Sequence, residues 1–149
     1  MDKSNLKIYL DNCCYNRPFD NQGKIRIRLE TEAKLHVQSS IRTGLYDLCW
    51  SFMLDYENDK NPHEENRYSI GLWKRFASDF CPPSEATLNR GKEFMKHGIK
   101  NADALHIACA IERHCEYFLT TDKKILNKVI DGIRIISPIE FVGEMESIL

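Results

Sequence analysis

The stretch "NADALHIACAIERHCEYFLTTD", residues 101–122, carries two periodicities in succession. From Asn101 to His114 the residues are apolar nearly all round a helical wheel and rich in alanine, as in a buried helix with close neighbours. From Glu116 to Asp122 a short apolar run follows, of the length and composition of a buried strand. Downstream, "KKILNKVID" (123–131) reads as a short helix, "IRIISP" (133–138) as a last strand and "PIEFVGEMESIL" (138–149) as a closing helical turn or two. Strands that alternate with helices define an α/β domain with a mainly parallel sheet and right-handed crossovers.

The upstream half continues the alternation. "KIYL" (7–10) is a first core strand that stops at Asp11, and "NRPFDNQGK" (16–24) has the Asn, Pro, Asp and Gly of a loop. In "IRIRLETEAKLHVQSSIRTG" (25–44), Leu29, Ala33, Val37 and Ile41 mark one apolar helical face, and Gly44 stands where a C-terminal cap belongs. "LYDLCWSF" (45–52) is the second strand; "MLDYEND" begins a helix that "NPHEEN" interrupts, and Tyr68, Leu72, Trp73 and Phe76 predict a further amphipathic helix. "DFCPPSE" (79–85) is a break with room for a very short strand, Ser84 is a candidate N-cap, and the helix it opens ends at Gly98. No repeat or linker divides the chain, so residues 1–149 read as one domain.

Composition narrows the class. Of 149 residues, 42% are hydrophobic and 29% charged, enough for a core without disulfides and far from a disordered balance. The net charge of −1 supplies no global field for nucleic acid, so any such contact must be local. No apolar run is long enough to span a membrane, and the first residues lack a secretory h-region. A cytoplasmic protein with six reduced, mostly buried cysteines is expected.

Four acids stand where a parallel sheet puts chemistry. Ligands of open α/β sheets bind outside the carboxyl ends of the strands. Asp11 ends the first strand, Asp122 ends "FLTTD", Glu57 follows the second strand and Asp103 opens the alanine-rich helix. Each also has an ordinary reading, as a helix cap, a dipole partner or a solvated side chain. Brought together, such carboxylates repel one another unless a cation neutralises them, and their hard oxygens suit Mg²⁺ or Mn²⁺. A cation so held can polarise a phosphodiester for in-line hydrolysis.

Together these segments resemble the PIN-domain ribonucleases, especially the VapC-type toxins of bacterial toxin–antitoxin pairs. "IYLDNCCYNRPFD" is similar to that family's opening strand and first acid, Asp11; "MLDYEN" to its second acidic position, at Glu57 or its neighbour Asp55. "NADALHIACA" is similar to its D-A-x-H-x-A helix, with the third acid at Asp103. "FLTTD" is similar to its T-x-D strand end, with Thr120 and the fourth acid, Asp122. Asn12 departs from the Thr or Ser usual after the first acid, though its amide still donates a hydrogen bond. The resemblance implies a PIN-like three-layer fold, RNA cleavage with Mg²⁺ or Mn²⁺ held by Asp11, Glu57, Asp103 and Asp122, and Asn12 or Thr120 orienting a ligand. It also implies an antitoxin partner and a homodimer.

Around two of the acids lie cations suited to an RNA rim: Arg17, Lys24, Arg26 and Arg28 after Asp11, and Lys123, Lys124 and Lys128 after Asp122, with Tyr15 and Phe19 as stacking faces. His106, Cys109, His114 and Cys115 lack the spacing of a structural zinc site, which leaves His106 as a partner for an acid or as packing. Cys13 and Cys14 read as core. A phosphoaspartyl enzyme would need a second Asp two residues after Asp11, where Cys13 stands, and neither "GxxxxGK[ST]" nor "GxGxxG" occurs. The other class left open is a non-catalytic module that binds RNA or assembles with a partner.

Overall fold

In the computed structural model, which describes residues 5–148, strand β1 (Leu6–Leu10) lies at the centre of a five-stranded sheet of order β3-β2-β1-β4-β5. Every pairing is parallel. The partners are β2 (Tyr46–Ser51), β3 (Asp79–Cys81), β4 (Tyr117–Leu119) and β5 (Arg134–Ile136). The last three residues of β1 are fully buried, so the strand carries an uninterrupted apolar run rather than an alternation. Tyr9 stacks on Phe118 of β4 with ring centroids 5.3 Å apart, and Trp50 of β2 meets Tyr15 edge-on at 5.2 Å.

Eight helices flank the sheet among the described residues, making the expected three-layer α/β arrangement. They are α1 (Asn12–Asn16), α2 (Ile25–Arg42), α3 (Phe52–Asp59), α4 (Glu64–Gly71), α5 (Glu85–Lys96), α6 (Asn101–Glu112), α7 (Lys123–Leu126) and α8 (Pro138–Ile148). Ser84 caps α5 by accepting from the Thr87 amide, and Gly44 and Gly98 take the left-handed conformation after α2 and α5. In α5, a side chain at Gly91 would meet Leu105 at 2.9 Å, so α5 and the alanine-rich α6 pack closely there. Among the described residues no helix is long and apolar enough to cross a membrane. Residues 1–4, the start of the segment read as lacking a secretory signal, and Leu149 lie outside the described residues.

Several elements differ from expectation. The closing segment is an eleven-residue helix, α8, packed on α2, rather than a turn or two. The amphipathic helix expected from about Glu64 is α-helical only as far as Gly71 (α4) and continues as a 3₁₀ segment over Leu72–Phe76, and Tyr68 is exposed. The largest difference is in α2: Val37 and Ile41 are buried as the pattern requires, but Leu29 is half exposed, and Glu30, Thr31, Lys34 and Gln38 complete the buried face.

At the sheet's amino-terminal edge, Asp79 binds Arg113 (2.5 Å) and Lys7 (2.8 Å), tying β3, the end of α6 and β1 together. Burial pushes the Asp79 carboxyl up, but hydrogen bonds from Arg113 and Lys7 outweigh it and hold it down at about 2. A depressed folded pKa stabilises above the unfolded value, about 4, and that contribution is lost as pH falls towards the folded value. Asp79→Asn is therefore expected to lower stability by about 1 kcal/mol at neutral pH. In urea unfolding, the gap from wild type should close between about pH 4 and pH 2; a gap unchanged across that window would refute the assignment.

Candidate active site

Strand order reverses beside β1, with β2 and β3 to one side and β4 and β5 to the other. The carboxyl ends of β1 and β4 thus frame the topological switch point, the usual ligand crevice of such sheets. The Asp11 amide donates to Leu119 O at 2.9 Å, carrying the β1–β4 pairing to the point where both chains leave the sheet. Asp11 caps α1, and its buried carboxylate is fixed on both oxygens. Oδ1 accepts from the Asn12 amide at 2.8 Å, and Oδ2 accepts from the Thr120 hydroxyl at 2.9 Å and the Cys13 thiol at 3.4 Å. Cys13, read as core, is only partly buried and belongs to this cluster.

Thr120 Oγ1 also accepts from the Asp122 amide at 3.1 Å, which locks the turn that leads out of β4. Asp122 then caps α7 by accepting from the Lys124 amide at 2.9 Å. Thr120 therefore couples the first acid to the backbone that positions the fourth.

Glu57 reaches the crevice from α3. Its carboxylate accepts from the Asn12 amide nitrogen at 3.3 Å and from His106 Nε2. His106 is fully buried on α6, one turn after Asp103; its Nδ1 lies 2.5 Å from the Tyr9 hydroxyl, which lies 2.6 Å from Ser51 Oγ. With Glu57 ionised, Nε2 carries the proton it donates; Nδ1 accepts from Tyr9 when the imidazole is neutral and donates to it when the ring is protonated, and the Tyr9 and Ser51 hydroxyls turn to suit. Burial pushes the Glu57 carboxyl up, but the hydrogen bond and charge of His106 and the Asn12 bond bring it below the usual value. Burial likewise pushes the His106 imidazole down, and Glu57 and Asp11 carry it above the usual value. Asp55, the other candidate for the second acid, points elsewhere: it accepts from the Trp50 indole at 2.8 Å and pairs with Lys74 at 3.0 Å.

Asp103, in the first turn of α6, has no hydrogen-bond or ion-pair partner among the described residues. Burial raises its carboxyl to about 6, helped by the negative charges of Asp11 and Asp122 and, to a smaller extent, Glu57. The four acids therefore share one electrostatic neighbourhood, and Asp103 carries a repulsion that His106 relieves only in part.

The donor set suits a hard divalent cation: carboxylate oxygens, plus the buried Asn12 Oδ1, which has no partner. Among the described residues, however, no three His, Cys, Asp or Glu side chains gather around one point as in a closed metal site. Glu57 is turned to His106, Asp11 to Thr120 and Asp122 to its helix, so the donors ring the crevice. The sequence pattern singled out all four acids, Asn12 and Thr120. It gave no sign of Tyr9 and Ser51, because β1 and the end of β2 are buried throughout and nothing local marks their hydroxyls.

The cations are arranged unevenly. Arg17 is committed to Asp20 (2.7 Å) and Glu30 (3.2 Å), and Arg26 leans on Glu30 at 3.8 Å. Arg28 and Lys123 are exposed, without an ion pair among the described residues.

In sequence, no protein-family model and no curated protein matches the chain. In structure it is similar to FitAcB from Neisseria gonorrhoeae, with 15% identity and a TM-score of 0.55 over 88% of this chain and 97% of that one. It is similar also to DNA-bound VapBC from Salmonella typhimurium, with 15% identity and a TM-score of 0.57 over 89% and 98% of the two chains. A third match is VapBC2 from Rickettsia felis, bound to a DNA fragment from its promoter, with 15% identity and a TM-score of 0.53 over 87% and 96%. At this identity the likeness establishes the fold, which is the VapC/PIN-like α/β fold.

Proposed function

We propose that the protein is a metal-dependent ribonuclease of PIN type, a toxin-like enzyme that hydrolyses RNA phosphodiester bonds at the acidic crevice. The observation that carries this reading is the convergence of Asp11, Glu57, Asp103 and Asp122 on one switch point, with the Asp103 carboxyl driven up to about 6. In this reading the four acids hold Mg²⁺ or Mn²⁺. Such a cation polarises the phosphodiester and makes an attacking water more acidic. The chain's own part is orientation. Thr120 and the Asn12 amide fix Asp11, while His106 and Asn12 aim Glu57. The exposed Arg28 and Lys123 are free to grip phosphates without reading sequence. The likeness to chains of VapBC complexes supports a protein partner of the antitoxin kind; a second copy of the chain is proposed on the sequence resemblance alone.

One observation favours a second reading, a non-catalytic RNA-binding or assembly module: Asp11, Glu57 and Asp122 are satisfied by Thr120, His106 and a helix cap, and among the described residues the acids are not gathered around one point. Calorimetric titration with Mn²⁺ separates the two. The nuclease reading expects saturable binding to wild type and a loss of about tenfold or more in Asp11→Asn. The variant should fold, since an amide can keep the Asn12 bond and the Thr120 hydroxyl can rotate. Equal Mn²⁺ affinity in both proteins would move the metal away from Asp11 and favour the module.

A further inference from the structure

Helix α3 follows β2 without a loop, Ser51 both ending the strand and capping the helix, so α3 rises from the carboxyl end of the sheet. Met53, Leu54 and Asn58 turn inward, and Glu57 beside them reaches His106 and Asn12. Two neighbours of Glu57 stay in water. Tyr56 is 54% exposed, one residue before the acid. Lys60 is exposed as well. Its amide donates to Glu57 O at 3.2 Å, which places it one turn beyond Glu57 on the same side of the helix. Burial pushes the Glu57 carboxyl up, His106 and Asn12 draw it down, and the Lys60 charge adds to that pull.

Tyr56 and Lys60 are joined to each other. Lys60 Nζ donates to the Tyr56 hydroxyl at 2.6 Å and lies 4.0 Å from the ring centre. An exposed pair of this kind adds little to stability, so packing does not account for it. The turn that follows is nevertheless fixed: Asn61 donates to Asn16 Oδ1 at 3.3 Å, and Arg67 donates to Asn61 O at 3.0 Å. A ring and a cation are thus held on a braced edge, tied to α1, the helix that Asp11 caps. Beyond the acids stand Lys100, at the start of α6, and Lys123 and Lys124, after Asp122. These three and Lys60 are exposed and make no ion pair among the described residues. The acidic centre is therefore bordered by cations on two sides, and the α3 side adds an open aromatic face. A polyanion with stackable bases fits that border.

We propose that Tyr56 and Lys60 seat the nucleotide next to the scissile phosphate, Tyr56 stacking on its unpaired base and Lys60 gripping its phosphate. The assignment rests on the nuclease reading above and adds to it two side chains that position the substrate. The strand runs from α3 over the four acids to Lys100 and Lys123, whose charges hold the phosphates beyond the cleaved bond. Because an aromatic ring accepts any base on its face, this seat selects unpaired strands rather than a sequence.

The test is fluorescence anisotropy of a labelled oligoadenylate titrated with the full chain in chelator, which keeps the strand intact, over a range of salt. Saturable binding to wild type is expected, weakened about tenfold by Tyr56→Ala and little changed by Tyr56→Phe, which keeps the ring. Lys60→Gln should also weaken binding and lower the slope of log affinity against log salt by about 0.7, the value for one phosphate contact on a single strand. Tyr56→Ala should leave that slope alone. Annealing the strand to oligouridylate removes the unpaired bases, and Tyr56→Ala should then have no effect. Arg134→Gln, at the opposite edge of the sheet, removes one charge and should leave binding unchanged. No saturable binding to wild type, or undiminished binding in both Tyr56→Ala and Lys60→Gln, would overturn the proposal. Equal losses in Arg134→Gln and Lys60→Gln would overturn the Lys60 contact by reducing it to net charge. Mn²⁺ titration of the same proteins keeps the two readings apart. Mn²⁺ binding without RNA binding removes the seat alone; RNA binding through Tyr56 without Mn²⁺ binding removes the nuclease reading and leaves a strand-binding surface.

Discussion

Asp103→Asn is expected to lower Mn²⁺-dependent RNA cleavage by roughly a thousandfold and at the same time to make the metal-free protein more stable. The opposite signs come from one cause. Asp103 stands among Asp11, Asp122 and Glu57 with no donor to meet it, and its carboxyl is raised to about 6 from 3.8. For an acid, a folded pKa above the unfolded one means that the folded state holds its proton more tightly. The resulting penalty is absent below about pH 4, grows as pH rises through the folded value and is complete above it. Because Asp103 is only half-buried, solvent screening reduces the gain on removing its charge to about 1 kcal/mol at about pH 8. Thermal unfolding in a chelator should show that gain shrinking as pH is lowered towards about 4.

Addition of Mn²⁺ should then reverse the order. A cation that binds only the folded chain stabilises it by mass action, and a variant that has lost a ligand gains less. Wild type should overtake Asp103→Asn as Mn²⁺ is added. A variant that is less stable than wild type in chelator would show that Asp103 has a structural partner, and unchanged cleavage would remove it from the reaction. The two readouts fail separately, so the electrostatic and catalytic assignments are tested independently.

How far the sequence disclosed this arrangement depends on where each interaction sits along the chain. Asp11, Asp103 and Asp122 were legible because each marks the end of a strand or the start of a helix, where hydrophobic periodicity stops. Glu57 was not separable from Asp55 by the same logic. The two are two residues apart on α3, about 200° round the helix, so one faces the crevice and the other does not. The choice is made by distant residues: His106 and Asn12 hold Glu57, while Trp50 and Lys74 hold Asp55. The register of α2 was misleading for a different reason. Its buried face includes Glu30, Lys34 and Gln38, and polar side chains add nothing to an apolar pattern, so Leu29 seemed to belong inside. The Tyr9–Ser51 and Tyr9–His106 contacts span 42 and 97 positions, beyond any local pattern.

That long-range network makes the loss of His106 costly in stability as well as in activity. In His106→Leu the Tyr9 hydroxyl keeps Ser51, but Glu57 loses its charge-assisted bond and a buried polar ring is replaced by a branched chain of different shape. The expected cost is about 2–4 kcal/mol in urea unfolding. Cleavage should also fall by about 10- to 100-fold, because Glu57 is then positioned by the Asn12 amide alone. Tyr9→Phe separates the two roles. It removes the hydroxyl that links Ser51 to His106 and should cost about 1–2 kcal/mol. His106 still bonds Glu57 in that variant, so cleavage per folded molecule should stay close to wild type. If Tyr9→Phe lowered cleavage as far as His106→Leu, the hydroxyl would be setting the imidazole's protonation rather than bracing the core. The Tyr9–His106 bond would then belong to the chemistry. If instead His106→Leu lost stability and kept full cleavage, Glu57 would need no bracing, and His106 would be part of the core alone.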